Sequence, residues 1–247
     1  ITGQIRHVGT TPVICVNTGP GYNPQILEGS VMTVANGSIP YVLICKEGAS
    51  VSLTGKIVTA NNTDFPNALY IQEPNRYSGI RVLYSGAVSP NRGDTVSVSG
   101  TVHLADDGER EINAGTNGVT SPQAGTLPGP FARNNRSLGC GNFNVYTPGI
   151  NWPLNTGVGI YNKGMLVKSW GKVTGVDAIG KCFYIDDGTG FNDGSGLMGV
   201  RVSWGWPNQT SITPPAQGSY VGVVGISGST DLGSDHIVRT VRLRDQD

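Results

Sequence analysis

The sequence predicts an all-β protein made of two tandem small barrels, with a strand-bearing arm before them and a long connector between them. Two observations support this prediction. The 247 residues include 37 Gly and 15 Pro, and only 14% are charged, which is a turn-rich composition without runs of helix-forming residues. In addition, short segments with the same hydrophobic and glycine positions occur twice in the same order, which indicates a duplicated domain.

Residues 1–47 are predicted to form an arm that contains β-strands. Two apolar bursts, TPVICVN and IPYVLIC, flank the turn-rich stretch TGPGYNPQ, and short apolar runs bounded by turn residues are typical of strands. The repeat does not require the first burst, so Val13, Ile14 and Val16 are candidates for pairing with the sheet edge of a neighbouring subunit. The alternative is that this strand folds back onto the first barrel of its own chain.

Residues 48–117 are predicted to form the first barrel from five short strands. Apolar and polar residues alternate over 51–59, as expected for a half-buried strand, and Gly55 lies where a small barrel must bend. A turn at Gly93 opens the fourth strand, and the Asp-Gly pair at 107–108 is a strong hairpin signal before the fifth. The second and third strands are placed at 69–74 and 79–84.

Residues 118–163 are predicted to be a connector that packs on both barrels. This stretch is rich in Gly, Pro and Asn, and at about 45 residues it is too long for a passive linker between compact domains. Its large aromatic residues are the expected anchors: Phe143, Tyr146 and Trp152.

Residues 164–247 are predicted to form the second barrel because they repeat the first. The order of the matching segments is kept while the loops between them differ in length, as expected for a duplicated domain. Gly171 corresponds to Gly55 as the bend in the first strand. The matching segments are VSLTGKIVTA (51–60) with LVKSWGKVTG (166–175), LYIQEP (69–74) with FYIDDG (183–188), GIRV (79–82) with GVRV (199–202), and GDTVSVSG (93–100) with GSYVGVVG (218–225).

These repeated segments resemble bacterial OB-fold domains of the type found in secreted and cell-surface proteins, including accessory domains beside extracellular nucleases. The resemblance covers 48–117 and 164–245, roughly three-fifths of the chain. It implies two tandem five-stranded Greek-key barrels and an extracellular or cell-surface location in a bacterium. It implies little about the ligand, because OB barrels bind many kinds of molecule.

The charge balance and the hydropathy pattern argue against two classes of partner. Seventeen basic residues face seventeen acidic ones, whereas a protein that binds nucleic-acid phosphates usually has a basic excess. No stretch approaches the roughly 20 apolar residues of a membrane span. The chain begins with Ile and carries no signal peptide, and we interpret it as a mature product.

The four cysteines are candidates for disulfide bonds. Cys15, Cys45, Cys140 and Cys182 lack the CxxC spacing of zinc or thioredoxin-like sites. An even number in a chain rich in Thr, Asn and Gly indicates one or two disulfides, with Cys15–Cys45 and Cys140–Cys182 as the candidate pairs. Four cysteines permit three pairings, and four buried free thiols are the alternative.

The sequence predicts that the protein is not an enzyme. The three histidines, His7, His103 and His236, are not combined with a carboxylate and a nucleophile in a known motif. The GxSxG, HExxH and phosphate-loop patterns are also absent from the sequence. We therefore expect neither a catalytic residue nor an organic cofactor.

The acidic turn DDGTGFNDG in the second repeat is a weak candidate for a calcium site. Asp186, Asp187 and Asp193 supply carboxylate oxygens, which are the ligands that Ca²⁺ prefers. Their spacing departs from the D-x-D-x-D-G register, however, and polar turn residues that tolerate positive φ are the preferred explanation. No metal is predicted, with calcium kept as the alternative.

Two Tyr–Arg pairs form the candidate ligand-binding face. Alternation places Tyr70 beside Arg81, and Tyr184 beside Arg201, on neighbouring strands and on the face away from the barrel core. OB domains bind ligands over these strands with stacking aromatic and basic side chains. The preferred alternative is a cross-strand contact between each Tyr and its Arg. Trp206, in the loop after the third strand, is a candidate anchor for a glycan or a partner protein.

Together these observations predict a non-catalytic extracellular structural or interaction protein, such as a subunit of a cell-surface assembly or filament that self-associates through its arm. The alternative is an OB-type binding module for single-stranded nucleic acid or carbohydrate that is accessory to a secreted hydrolase. The charge balance counts against nucleic acid as the ligand.

Overall fold

The computed structural model describes residues 3–8, 11–16, 37–152, 157, 159–205 and 212–245. The chain divides into two compact units, residues 1–33 and residues 34–247. Regular structure in the described residues is almost entirely β, which confirms the prediction of an all-β protein. No helix in these ranges is long and apolar enough to cross a membrane.

The first unit contains an antiparallel hairpin. Its strands are β1 (Gly3–Val8) and β2 (Thr11–Val16), and Gly3 pairs with Val16. The strand predicted from TPVICVN is therefore confirmed as β2, whereas β1 was not predicted. These two strands form a two-stranded sheet.

The second apolar burst, IPYVLIC, is a helix, so the prediction of a strand there is wrong. Helix α1 spans Ile39–Ile44. Ser38 is its N-cap, and the Ser38 side-chain oxygen accepts a hydrogen bond from the Tyr41 N–H at 3.3 Å. Pro40 lies in the first turn, where a helix does not need its missing N–H. The buried side chains of α1 are spaced three and four positions apart, as on one helix face, and they join the core of the first barrel: Ile39, Val42 and Leu43.

Five strands close into the first barrel, as predicted. They pair in the order β3-β4-β5-β7-β6, and β6 pairs again with β3 to complete the circuit. The β5–β7 pair is parallel and the other four pairs are antiparallel. The strands are β3 (Ser50–Phe65), β4 (Ala68–Gln72), β5 (Gly79–Tyr84), β6 (Thr95–Leu104) and β7 (Arg110–Gly115).

The core of the first barrel follows the predicted alternation of apolar residues. Leu69 and Ile71 on β4 face the core, while Tyr70 between them belongs to a separate hydrophobic cluster. Because successive side chains of a strand point to opposite faces, the sequence pattern alone specifies which side of β4 lines the barrel. Other core residues are Leu53, Val58, Val82, Val98 and Ile112.

The two corresponding glycines of the first strands have different roles. Gly55 has φ of +64° and lies at a β-bulge, where the pairing of β3 with β6 shifts between Leu53 and Lys56. Gly171 lies in a regular stretch of strand, but a Cβ there would be 2.7 Å from the backbone of Asp186. The predicted bulge is thus confirmed at Gly55, while Gly171 is required for close approach of two strands.

The connector contributes a strand to each half of the second unit. β8 (Val119–Gln123) pairs with β6 of the first barrel, and β9 (Phe131–Ala132) joins the second sheet. The expected aromatic anchors differ in their contacts. Phe143 packs edge-on against Tyr161 and Trp152 stacks on His236, whereas Tyr146 is about half exposed.

The second sheet repeats the strand pairing of the first barrel. Its strands pair in the order β11-β12-β14-β13-β10, β10 also pairs with β11, and the β12–β14 pair is parallel. The core of this sheet includes Val167, Phe183, Ile185, Val202 and Val241. The strands are β10 (Leu166–Asp177), β11 (Cys182–Asp186), β12 (Val200–Ser203), β13 (Tyr220–Asp231) and β14 (Ile237–Leu243).

Candidate functional site

The first predicted Tyr–Arg pair lies where the first barrel meets the second sheet. Tyr70 on β4 stands directly opposite Arg81 on β5, on the face away from the barrel core. Leu166 and Ile226 of the second sheet pack on that face, so only 1% of Tyr70 is exposed. Sequence alternation predicted the direction of Tyr70 correctly, but not that the other half of the chain covers it.

The Tyr70 hydroxyl joins groups from both halves. It donates a hydrogen bond to Glu109 Oε2 at 3.1 Å and accepts one from Arg242 Nη1 at 2.9 Å. Burial raises the pKa of Tyr70 well above its usual value. The phenol therefore stays protonated over the ordinary pH range and can act as both donor and acceptor at this position.

Two arginines and three carboxylates form an ion-pair network that includes this hydroxyl. Arg81 donates to Glu111 at 2.6 Å and, through both Nη atoms, to Asp107 at 2.8 and 3.0 Å. Arg242 donates to Asp107 at 2.8 Å and pairs with Glu109. We call this group the junction cluster: Tyr70, Arg81, Asp107, Glu109, Glu111 and Arg242.

The turn between β6 and β7 carries the acidic part of the junction cluster onto the second sheet. On β13, the Ser229 N–H donates to Glu109 at 3.0 Å and the Ser229 hydroxyl donates to the Asp107 carbonyl at 2.6 Å. Burial alone would raise the pKa of Asp107, but Arg242 and Arg81 together lower it to about 2. Asp107 is therefore ionised at neutral pH, as an ion pair across the junction requires.

Lys163 lies beside the junction cluster and adds a third basic group to its two arginines and three carboxylates. Its ammonium donates to the carbonyls of Gly108 at 2.9 Å, Gly149 at 3.0 Å and Pro148 at 3.2 Å. Burial lowers the pKa of Lys163 to about 8, although Glu109 nearby favours the charged form. One side chain thus connects the β6–β7 turn to the end of the connector.

The second Tyr–Arg pair is also in register, but its surroundings differ. Tyr184 on β11 stands opposite Arg201 on β12, and Arg201 Nη1 lies 3.5 Å from the Tyr184 hydroxyl. Burial raises the pKa of Tyr184, which is 1% exposed. In both repeats the tyrosine ring is therefore covered by protein. The Tyr–Arg contact that the sequence favoured is present between Tyr184 and Arg201, whereas the Tyr70 hydroxyl bonds Glu109 and Arg242 instead.

The acidic turn of the second repeat does not gather its carboxylates. Each carboxylate accepts a hydrogen bond from a different backbone N–H. The donors are Gly190 for Asp186 (3.1 Å), Asn135 for Asp187 (2.8 Å) and Ser195 for Asp193 (3.0 Å). No group of three or more His, Cys, Asp or Glu residues in the described ranges could hold a metal ion. The structure therefore gives the calcium alternative no support at this turn, because its three carboxylates do not converge.

The predicted disulfides are not formed. Cys45, Cys140 and Cys182 are free thiols, so the pairs Cys15–Cys45 and Cys140–Cys182 are both wrong. Cys140 packs in the core of the first barrel, whereas Cys182 begins β11 of the second sheet. Burial raises the pKa of Cys140 to about 12, which makes this thiol unreactive.

Two of the predicted sites fall wholly or partly beyond what the structure describes. Trp206 lies outside the described residues. Val13, Ile14 and Val16 belong to β2, whose backbone is described.

Sequence reasoning missed the acidic half of the junction cluster because it read DDGERE only as a turn. A signal was available in β14, where IVRTVRL places Arg239 and Arg242 in an otherwise apolar strand. A charged residue in a buried strand requires a partner of opposite charge. The pairing with Asp107 and Glu109, however, depends on how the two halves meet.

No model of a known protein family matches the chain, and no curated protein matches it either.

Proposed function

We propose that this protein is a non-catalytic structural or interaction subunit of a bacterial cell-surface or extracellular assembly, built from two tandem OB-like barrels. The observation that carries the proposal is the use of the outer face of β4 and β5. Where an OB barrel would hold its ligand, the side chain of Tyr70 is covered by the second half and bonded to Glu109 and Arg242. A face occupied in this way holds the two halves together.

The N-terminal hairpin is the proposed means of self-association. β1 and β2 pair with each other in a two-stranded sheet. A two-stranded hairpin is at best marginally stable in water, and its open edges can add to the sheet of another subunit. Val13, Ile14 and Val16 lie on the strand that we expect to make this contact.

The test is the mass of the particle in solution. Multi-angle light scattering would be run on the full chain and on a chain lacking residues 1–20. We expect ordered oligomers for the full chain and monomers for the shortened one. Equal masses for the two chains would contradict self-association through the hairpin.

The alternative, an OB-type binding module that uses the Tyr–Arg faces, makes a different prediction. Oligonucleotides or glycans titrated at low salt would bind the full chain, and the paired substitutions Tyr184→Ala and Arg201→Ala would abolish binding. We expect no binding that depends on these residues, because both tyrosine rings are covered.

A further inference from the structure

One exposed face of the second sheet combines aromatic and basic side chains. On β10, every second residue from Lys168 points to solvent while the residues between them are buried. On β13, Tyr220 stands opposite Lys172 and Gly222 opposite Trp170. We call this face the β10–β13 strip: Lys168, Trp170, Lys172, Tyr220 and Gly222.

The two aromatic rings of the strip are available to a ligand. Trp170 is 47% exposed and Tyr220 is 80% exposed, which is unusual for such large side chains on the regular part of a sheet. Gly222 leaves a gap opposite Trp170, because a Cβ there would meet only Lys168 Cε at 3.8 Å and the Ser169 carbonyl at 3.9 Å among the described atoms. A flat ring could therefore lie against the indole without displacing protein.

The strip carries a net positive charge among the described residues. Within the described ranges, neither Lys168 nor Lys172 forms an ion pair. Asp186 stands opposite Lys172 on the neighbouring strand, and one of its oxygens accepts the Gly190 N–H at 3.1 Å. This carboxylate offsets the charge of one lysine and leaves that of the other uncompensated.

The strip begins where the contact between the two halves ends. Leu166 and Ile226 stand opposite each other on the same face of β10 and β13, and both are buried against the first barrel. From Lys168 onward this face is open to solvent. The strip is therefore separate from the junction cluster.

We propose that the β10–β13 strip binds an acidic polysaccharide, a chain of pyranose rings that carry carboxylates. The indole of Trp170 offers a stacking surface for the apolar face of one sugar ring. Lys168 and Lys172 lie two residues to either side along β10, roughly 7 Å away at the usual strand rise, where they can pair with carboxylates of the neighbouring rings.

The strip fits a sugar polymer better than single-stranded nucleic acid. A nucleic-acid groove needs a continuous basic track for closely spaced phosphates as well as aromatic rings. Here the cations are few and the chain has no net charge. A stacked ring flanked by isolated charges matches a polymer whose charges are spaced one to a sugar.

The first experiment titrates the full chain with an oligogalacturonate at low salt by isothermal calorimetry. Two probes serve for comparison, the methyl-esterified form of the same oligomer and an oligodeoxythymidylate of similar length. We expect binding of the oligogalacturonate that is at least about tenfold tighter than binding of either comparison probe and that weakens with added salt. Lack of binding, equal binding of the methyl ester, or tighter binding of the oligodeoxythymidylate would each overturn the proposal.

The second experiment locates the site with matched variants. Trp170→Ala should weaken oligogalacturonate binding about tenfold, while Tyr77→Ala, at another exposed aromatic residue, should leave it unchanged. Gly222→Glu should weaken binding several-fold more than Gly222→Gln, since the two side chains differ in charge but hardly in size. If Trp170→Ala proves unstable, the comparison of Gly222→Glu with Gly222→Gln still tests whether the strip binds the oligogalacturonate. Equal effects of the two Gly222 variants would contradict an anionic ligand at this strip.

Discussion

At the scale of single residues, the junction cluster places ionised groups where water is nearly absent. Glu109 and Arg242 keep only 2% and 6% of their side chains exposed. Removing both charges from water is costly, and the pair is favourable only while each group keeps all of its partners. Tyr70 and Ser229 supply those further hydrogen bonds, so the loss of one member leaves the others buried without a partner.

We therefore expect Glu109→Gln to destabilise the protein strongly. The substitution keeps the shape of the side chain but leaves Arg242 buried beside a neutral group, which should lower the free energy of unfolding by about 3 kcal/mol. Urea denaturation measures the change. Asp106→Asn, at the exposed neighbouring acid of the same turn, is the control and should shift the free energy by less than about 0.5 kcal/mol. Similar losses for the two variants would contradict a special role for Glu109.

Lys163 should make stability depend on pH in the alkaline range. Burial lowers its pKa to about 8, from about 10.5 for the unfolded chain. Between these values the unfolded state binds more protons than the folded state, so the contribution of Lys163 to stability increases as the pH rises from about 8 to about 10.5. The unfolding free energy of the natural protein minus that of Lys163→Met should therefore rise between pH 7.5 and pH 9.5. A value that stays constant or falls over this interval would show that the pKa of Lys163 is not lowered in the folded protein.

At the scale of elements, apolar patterns predicted strands well and a short helix poorly. The alternation over 51–59 and 69–74 predicted β3 and β4 because a strand has a period of two that few other structures share. The burst IPYVLIC has no clear period, and a short apolar run does not distinguish a buried strand from a buried helix. The Ser38-Ile39-Pro40 start of α1 was the available signal, since Ser is a preferred N-cap and Pro is favoured in the first turn.

The strand glycines give an element-scale prediction with a built-in control. Gly171→Ala would place a Cβ 2.7 Å from the backbone of Asp186, so β10 and β11 must separate, at a cost of about 1–3 kcal/mol. Gly222→Ala adds the same methyl group on the neighbouring strand, where the nearest atom would be 3.8 Å away. Thermal unfolding should show a clear loss for the first variant and almost none for the second. Equal losses would mean that strand propensity, and not close approach, decides the effect.

At the scale of the whole molecule, the two halves share buried surface and buried charge. Leu166 and Ile226 of the second sheet pack with Tyr70 of the first barrel, and the ion pairs of Arg242 cross the same boundary. If the two halves separated, each would expose apolar and charged groups to water. The residues of both halves should therefore unfold as one cooperative unit.

Tryptophan fluorescence can test this cooperativity, since all four tryptophans lie after residue 151 and report on the second half. In the natural protein, urea curves from fluorescence and from far-ultraviolet circular dichroism should superimpose. In Arg242→Met, where the ionic contact across the junction is removed, we expect the two curves to separate. Separated curves for the natural protein itself would show that the junction does not couple the halves.

The sequence by itself determined the strands, their repeat and the direction of most side chains, because hydrophobic alternation and turn residues are local signals. It predicted that Tyr70 points away from the core of the first barrel, and it does. Only the tertiary structure decided what covers that face, which residues partner Arg242, and that Cys140 and Cys182 stay apart. These features depend on how segments that are far apart in the sequence meet, and no local pattern in either segment specifies that contact.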